Sequence, residues 1–143
     1  MPVQIRTLLV DDAEYVERLS HQLGYSIGLE ETKTNLEVIY QHPDHGIFAA
    51  TIEEKPVAWI HVFRALQVES PPFCEIRGLV VDENFRRLGI GAMLINVAKA
   101  WAKEKNLPLL RLRCNTIRLE AHVFYAMLGF TEKKQQKVFE LLL

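Results

Sequence analysis

The sequence predicts an α/β fold: a mixed, mostly antiparallel central sheet of about seven strands with helices on both faces. Three observations carry this expectation. The stretch from Cys74 to Lys105 reads as a buried strand, a polar turn, a glycine-containing loop and a long amphipathic helix. Around it, period-two and period-3.6 segments follow in the order β-α-α-β-β-β-α-β-α-β-β. Finally, 143 residues with 49% apolar and 24% charged content suit one globular domain spanning residues 1–143.

Taken in order, Val3 to Val10 alternates and predicts a first strand. Asp11 is placed to cap the next helix, with Glu14 in the reciprocal position of a capping box. That helix, Asp12 to Leu23, is expected to bury Tyr15, Val16 and Leu19 and to stop at Gly24. A second helix, Glu30 to Tyr40, is expected to bury Leu36, Ile39 and Tyr40. The connection from Gly24 to Leu29 reads either as a plain link or as a lid beside a substrate. Ile47 to Ile52 and Val57 to Val68 read as strands joined by a turn at Glu53-Glu54-Lys55-Pro56. On the second of these, Trp59, His61 and Phe63 share a face, so His61 either lines a pocket or packs. Pro71-Pro72 predicts a loop before the central strand. Beyond the central helix, Leu109 to Cys114 reads as a strand and Leu119 to Leu128 as a short helix ending at Gly129. Phe130 to Glu132 and Lys137 to Leu142 read as closing strands, and the apolar Val138 to Leu143 offers a homodimer contact.

Within the central stretch, Ile76, Leu79, Val80 and Val81 form the apolar run of an inner strand, broken by Asp82-Glu83-Asn84. From Ile90 the period becomes helical, with Ile90, Met93, Leu94, Val97, Ala98 and Trp101 on one face. Lys99, Lys103 and Lys105 sit toward its C-terminal half, where positive charge suits the helix dipole. Gly89 and Gly91 leave the first backbone N–H groups of this helix uncovered, which makes its start an anion site. A dinucleotide fingerprint fails, because Leu94 stands where the third glycine belongs and Arg111 to Arg113 where an acid belongs. A Walker loop also fails, for want of G-K-S/T.

Composition excludes several classes. A net charge of −1 argues against a nucleic-acid partner bound through a basic surface. No apolar run reaches membrane-spanning length and the N-terminus has no signal-peptide pattern, so no membrane partner is expected. Cys74 and Cys114 have neither metal-ligand spacing nor a disulfide framework, so no metal is expected and the setting reads as cytoplasmic.

The residues Arg86-Arg87-Leu88-Gly89-Ile90-Gly91-Ala92 match the pattern Q/R-x-x-G-x-G/A, and the chain here resembles the GNAT superfamily of N-acetyltransferases. A second signature follows. The family pattern N-x-x-N-x-x-A-x-x-F/L-Y-x-x-x-G-F is met by Asn115, Ala121, Phe124, Tyr125, Gly129 and Phe130, with Arg118 replacing the second Asn. The resemblance covers essentially the whole chain and implies the GNAT acyltransferase fold with acetyl-CoA as cosubstrate. It implies that Arg86, Arg87, Leu88, Gly89, Ile90, Gly91 and Ala92 hold the pyrophosphate. Main-chain groups of Leu79, Val80 and Val81 would take the pantetheine arm as an added strand. Asn115 and Arg118 would sit on the cofactor side, with Arg118 placed to reach a phosphate.

The implied chemistry is acetyl transfer to a primary amine by direct attack. An amine of pKa about 10.4 must lose a proton first, at a cost of about 4–5 kcal/mol near neutral pH. Glu75, eleven residues before Arg86, stands where one branch of the family carries its catalytic glutamate. It is therefore the first candidate base, with His122 as a rival. Tyr125 matches the family tyrosine that protonates the departing thiolate. Two other classes stay open: a nonenzymatic acyl-CoA sensor, and a transferase passing through acetyl-Cys114. The acceptor, small molecule or protein, is not specified, although Glu30, Glu31 and Glu75 favour a cationic amine.

Overall fold

The computed structural model describes residues 2–143, which cluster into two compact units divided between Leu112 and Arg113. The first unit holds a sheet of five strands in the spatial order of the chain. These are β1 (Gln4–Thr7), β2 (His45–Ile52), β3 (Lys55–Gln67), β4 (Ser70–Val81) and β5 (Leu110–Leu112). The first three pairings are antiparallel and β4–β5 is parallel, so the sheet is mixed. Helices α1 (Ala13–Gln22) and α2 (Leu29–Gln41) link β1 to β2, and α3 (Ile90–Glu104) makes the crossover a parallel pair requires. The second unit contains α4 (Leu119–Met127).

Alternation along β2 separates the two faces. Ile47 and Ala49 pack with Leu8, Ala13, Val16 and Leu36, on the side of α1 and α2. Gly46 points instead toward the Trp101 ring of α3. Helix α3 covers that second face and buries Ile90, Leu94, Ile95, Ala98, Trp101 and Ala102. The expected stripe through Met93 and Val97 is rotated by part of a turn, so that Ile95 and Ala102 enter the core and those two stay half-buried. A flat sheet accepts a broader helix face than a strict i, i+3, i+4 stripe provides.

Other expectations are corrected. The first strand ends at Thr7, and a 3-10 turn over Val10–Asp12 precedes α1. Asp11 does not cap this helix and is exposed. Its neighbour Asp12 is the buried one: its carboxylate accepts from Leu9 N–H at 2.8 Å and from Arg6 Nη1 and Nη2 at 2.7 and 2.9 Å. Burial opposes the Asp12 charge, but these bonds win and hold its pKa below the usual carboxylate value. Tyr40 is 56% exposed, not core. The β2–β3 turn is tight, with Glu53 and Glu54 at φ 51° and 68°, and Lys55 and Pro56 already in β3. Pro71 and Pro72 lie inside β4, not in a loop. They are tolerated because the register shifts there, between Ala65 and Gln67 of β3, and because β5 begins only opposite Cys74.

The sheet has five strands rather than about seven. Phe130 to Glu132 and Lys137 to Leu142 are not strands, and every residue from 131 to 143 is exposed. Their apolar residues have no ladder partner, and a strand needs one to satisfy its backbone groups.

Candidate active site

In the first unit the site is built on β4. Glu75 lies opposite Phe63 of β3 and Arg111 of β5, and is only 4% exposed. Arg77 Nη1 reaches Glu75 Oε2 at 3.5 Å, and the same guanidinium sits 5.9 Å from the Phe63 ring centre. Between Ile76 (opposite Val62) and Gly78 (opposite His61) the register slips, so Arg77 is the extra residue of a bulge. Strand β5 pairs with Cys74, Glu75 and Ile76 and, among the described residues, goes no further. Past the bulge, the Leu79–Val81 edge of β4 therefore has no strand beside it on that side. Val80 is buried there, while Leu79 and Val81 are half-buried.

The loop after β4 is anchored at its root. Asp82 is buried, accepts from Asn84 N–H at 3.0 Å, and lies 3.7 Å from Arg18 of α1. Gln22 of the same helix accepts from Glu83 N–H at 3.0 Å. Arg86 Nε then donates to Val81 O at 3.3 Å. Arg87 and Gly89 turn the chain through the left-handed region, at φ 66° and 78°. Gly89 is the N-cap of α3, and a Cβ there would meet no atom within 4 Å. The first bond into the helix is Met93 N–H to Gly89 O at 3.1 Å, leaving the N–H groups of Ile90, Gly91 and Ala92 for an outside acceptor. No acid occupies the first turn and no side chain caps it. Arg86, Arg87 and Leu88 are exposed around it. This is an open anion cradle with positive flanks.

In the second unit Asn115 organises the start of α4. Its Oδ1 accepts from Ile117 N–H at 3.1 Å, and its backbone oxygen accepts from Arg118 N–H at 3.1 Å and from the His122 ring at 2.9 Å. His122 thus clasps the helix start. Arg118 is the exposed N-cap residue of α4. Tyr125 packs edge-on against Phe124 and Phe130, with ring centres 5.3 and 5.8 Å away. Burial, then the neighbouring Cys114, raise its pKa against the opposing effect of Arg118, so the phenol keeps its proton at neutral pH.

A family model described as the acetyltransferase (GNAT) family matches residues 10–130. The chain belongs to the GNAT family of acetyltransferases. It is 31% identical over 106 residues to an uncharacterized N-acetyltransferase of Methanocaldococcus jannaschii. That match takes in 69% of this chain and 45% of the relative, so the chain spans less than half of that protein's length. Among solved structures, the aminoglycoside N-acetyltransferase AAC(6')-Iy in complex with CoA superposes with a TM-score of 0.88 at 19% identity, over 98% of this chain and 95% of that one. The aminoglycoside 6'-N-acetyltransferase AAC(6')-Ih of Acinetobacter baumannii gives 0.87 at 15% identity, over 99% of each chain. At such identities the likeness shows the fold.

The GNAT fold of this chain groups the expected residues by unit. Glu75, Leu79 to Val81 and Arg86 to Ala92 belong to the first, and Asn115, Arg118, His122 and Tyr125 to the second. The Gly24–Gly28 segment, with Tyr25 65% exposed, lines an open hollow of about 460 Å³ next to His21. Glu30 and Glu31 are exposed in the first turn of α2, where Glu30 lies 3.5 Å from Lys33. Sequence reasoning missed Arg77 and His45. Arg77 stands two residues from Glu75 on β4, and the β3–β4 register makes it the extra residue of the bulge. His45 meets His61 only through the β2–β3 register, with His45 Nδ1 2.8 Å from His61 Nε2.

Proposed function

We propose that this chain is an acetyl-CoA-dependent N-acetyltransferase acting on a primary amine by direct attack in a ternary complex, with residues 1–143 serving that one activity. The observation that carries the reading is the α3 start: a left-handed Gly89, three free N–H groups, no first-turn acid and two flanking arginines. It fits a pyrophosphate. The open Leu79–Val81 edge beside it fits an amide-bearing arm that adds as a strand. Bound acetyl-CoA would supply a thioester carbonyl and a thiolate leaving group.

The side chains then handle protons. Glu75 accepts one from the ammonium form of the acceptor. Tyr125 Oη, which holds its proton at neutral pH, donates to the departing sulfur. Asn115 and Arg118 complete the cofactor side. The clasp of His122 on Asn115 O supports a structural role for that ring rather than that of a base. A cationic acceptor suits the Glu75 carboxylate and the acidic first turn of α2. The AAC(6')-Iy structure with a bisubstrate analog of CoA and an acetylneamine, similar at a TM-score of 0.87, supports an amine acceptor without naming this one. A cytoplasmic setting is supported by Cys74 and Cys114, both free thiols. A homodimer through Val138–Leu143 is supported by exposed side chains there, Phe139 at 87% and Leu142 at 98%.

The test is turnover. Purified protein is mixed with acetyl-CoA and a panel of amines, neutral and cationic, and free thiol is followed with time. Thiol release that depends on one class of amine supports the transferase. Tight acetyl-CoA binding with no amine-dependent release across the panel would leave a binding module instead.

A further inference from the structure

Glu75 is 4% exposed, so a proton it accepts cannot pass straight to bulk water. Arg77, 3.5 Å away, has no acceptor atom and cannot take that proton. The strand register does offer a way out. Glu75 lies opposite Phe63, and His61 is the next residue along that face of β3. Such diagonal cross-strand positions stand roughly 7–8 Å apart at the backbone, within reach of long side chains that meet through a water. His61 Nε2 is 2.8 Å from His45 Nδ1, and His45 stacks on Phe63 with ring centres 5.4 Å apart. His45 also lines a hollow of about 170 Å³ together with the exposed Thr7 and Tyr40. That hollow has room and polar partners for water.

We propose that the His61–His45 pair is a proton relay that carries the acceptor amine's proton from Glu75 to solvent at the hollow beside Thr7 and Tyr40. This rests on the N-acetyltransferase reading and deepens it. The relay requires one tautomer: hydrogen on Nε2 of both rings. The proton leaving Glu75 enters at His61 Nδ1, through water. The His61 Nε2–H bond breaks as its proton passes to His45 Nδ1, and the His45 Nε2–H proton leaves to water. One proton enters, one leaves, and both rings end neutral with hydrogen on Nδ1. Ring rotation or exchange with water restores the start.

The surroundings suit conduction rather than storage. Burial, then His45 and Arg77, lower the His61 pKa to about 4. Burial and His42 lower that of His45, against Asp44. The charged and titratable groups around the pair are thus His42 and Asp44 before β2, Tyr40 at the end of α2, and Glu75 and Arg77 on β4. Two neutral imidazoles at neutral pH pass a proton without trapping it.

Two readouts test this on the full chain. Nitrogen-15 correlation spectra at neutral pH should show His61 protonated at Nε2 and bare at Nδ1. In steady state with acetyl-CoA and the best amine of the panel, His61→Gln and the milder His45→Gln should lower kcat about ten- to a hundredfold. KM for both substrates and acetyl-CoA affinity should hold, and added imidazole should restore part of the rate. A His61 ring protonated at Nδ1, or full kcat in both variants where chemistry limits the rate, overturns the relay and leaves the transferase standing. Absence of amine-dependent turnover in the unmodified protein removes both.

Discussion

The Trp59 ring lies against Gly78, on the β4 bulge that also presents Arg77: a Cβ at Gly78 would come within 2.8 Å of Trp59 Cζ3 and 2.9 Å of Cη2. Trp59 is packed against the α1–α2 side of the core and cannot swing away freely. Gly78→Ala should therefore destabilise the protein by about 1–3 kcal/mol, the usual range for overpacking. Urea unfolding checks this. An unchanged midpoint would mean that the ring yields.

Gly89 combines a φ of 78° with open space around its missing side chain. Gly89→Val should weaken acetyl-CoA binding strongly, because a β-branched residue resists the left-handed region and would crowd a group docked on the N–H cradle. Arg86→Ala and Arg87→Ala should each cost less, since one exposed charge is lost and every backbone donor stays. Calorimetric titration with acetyl-CoA ranks the three.

Tyr125→Phe keeps the ring contacts with Phe124 and Phe130 and removes only the phenolic proton. Turnover should fall by about ten- to a thousandfold with acetyl-CoA affinity intact. Full turnover, with chemistry rate-limiting, would assign the thiolate's proton to another donor.

Glu75→Gln keeps the shape of a buried side chain and removes the carboxylate proposed as base. Its rate deficit should be largest near neutral pH and shrink as pH approaches the amine's own pKa, where free amine needs no help. A deficit equal at every pH would make Glu75 an orienting group. Acetyl-CoA affinity, measured alongside, should not move.

His61 sets an acid limit on stability. Its pKa falls from 6.5 in the unfolded chain to about 4 in the fold, so the folded state binds fewer protons between those values. The stabilisation is fully present above pH 6.5, declines as pH drops toward 4, and is constant below that. The shift corresponds to about 3 kcal/mol at most, shared with the hydrogen-bonded His45. Unfolding midpoints measured between pH 7 and 4 should fall less steeply for His61→Gln than for the unmodified protein.

What the sequence determined by itself was local. The β4–loop–α3 unit was legible because period, glycines and missing first-turn acids are all local properties, and Ile90 does open α3. The Asn115-to-Phe130 signature was legible for the same reason. What only the tertiary structure decided depends on pairing. Register placed Arg77 in a bulge beside Glu75 and brought His45, sixteen residues away, onto His61. It also let Pro71 and Pro72 sit within β4, where β5 has not yet begun. Conversely, Lys137 to Leu142 is apolar enough to read as a strand and yet is not one. An apolar run states what a segment could bury, whereas a strand exists only where a second backbone accepts its hydrogen bonds, and no local pattern carries that second backbone.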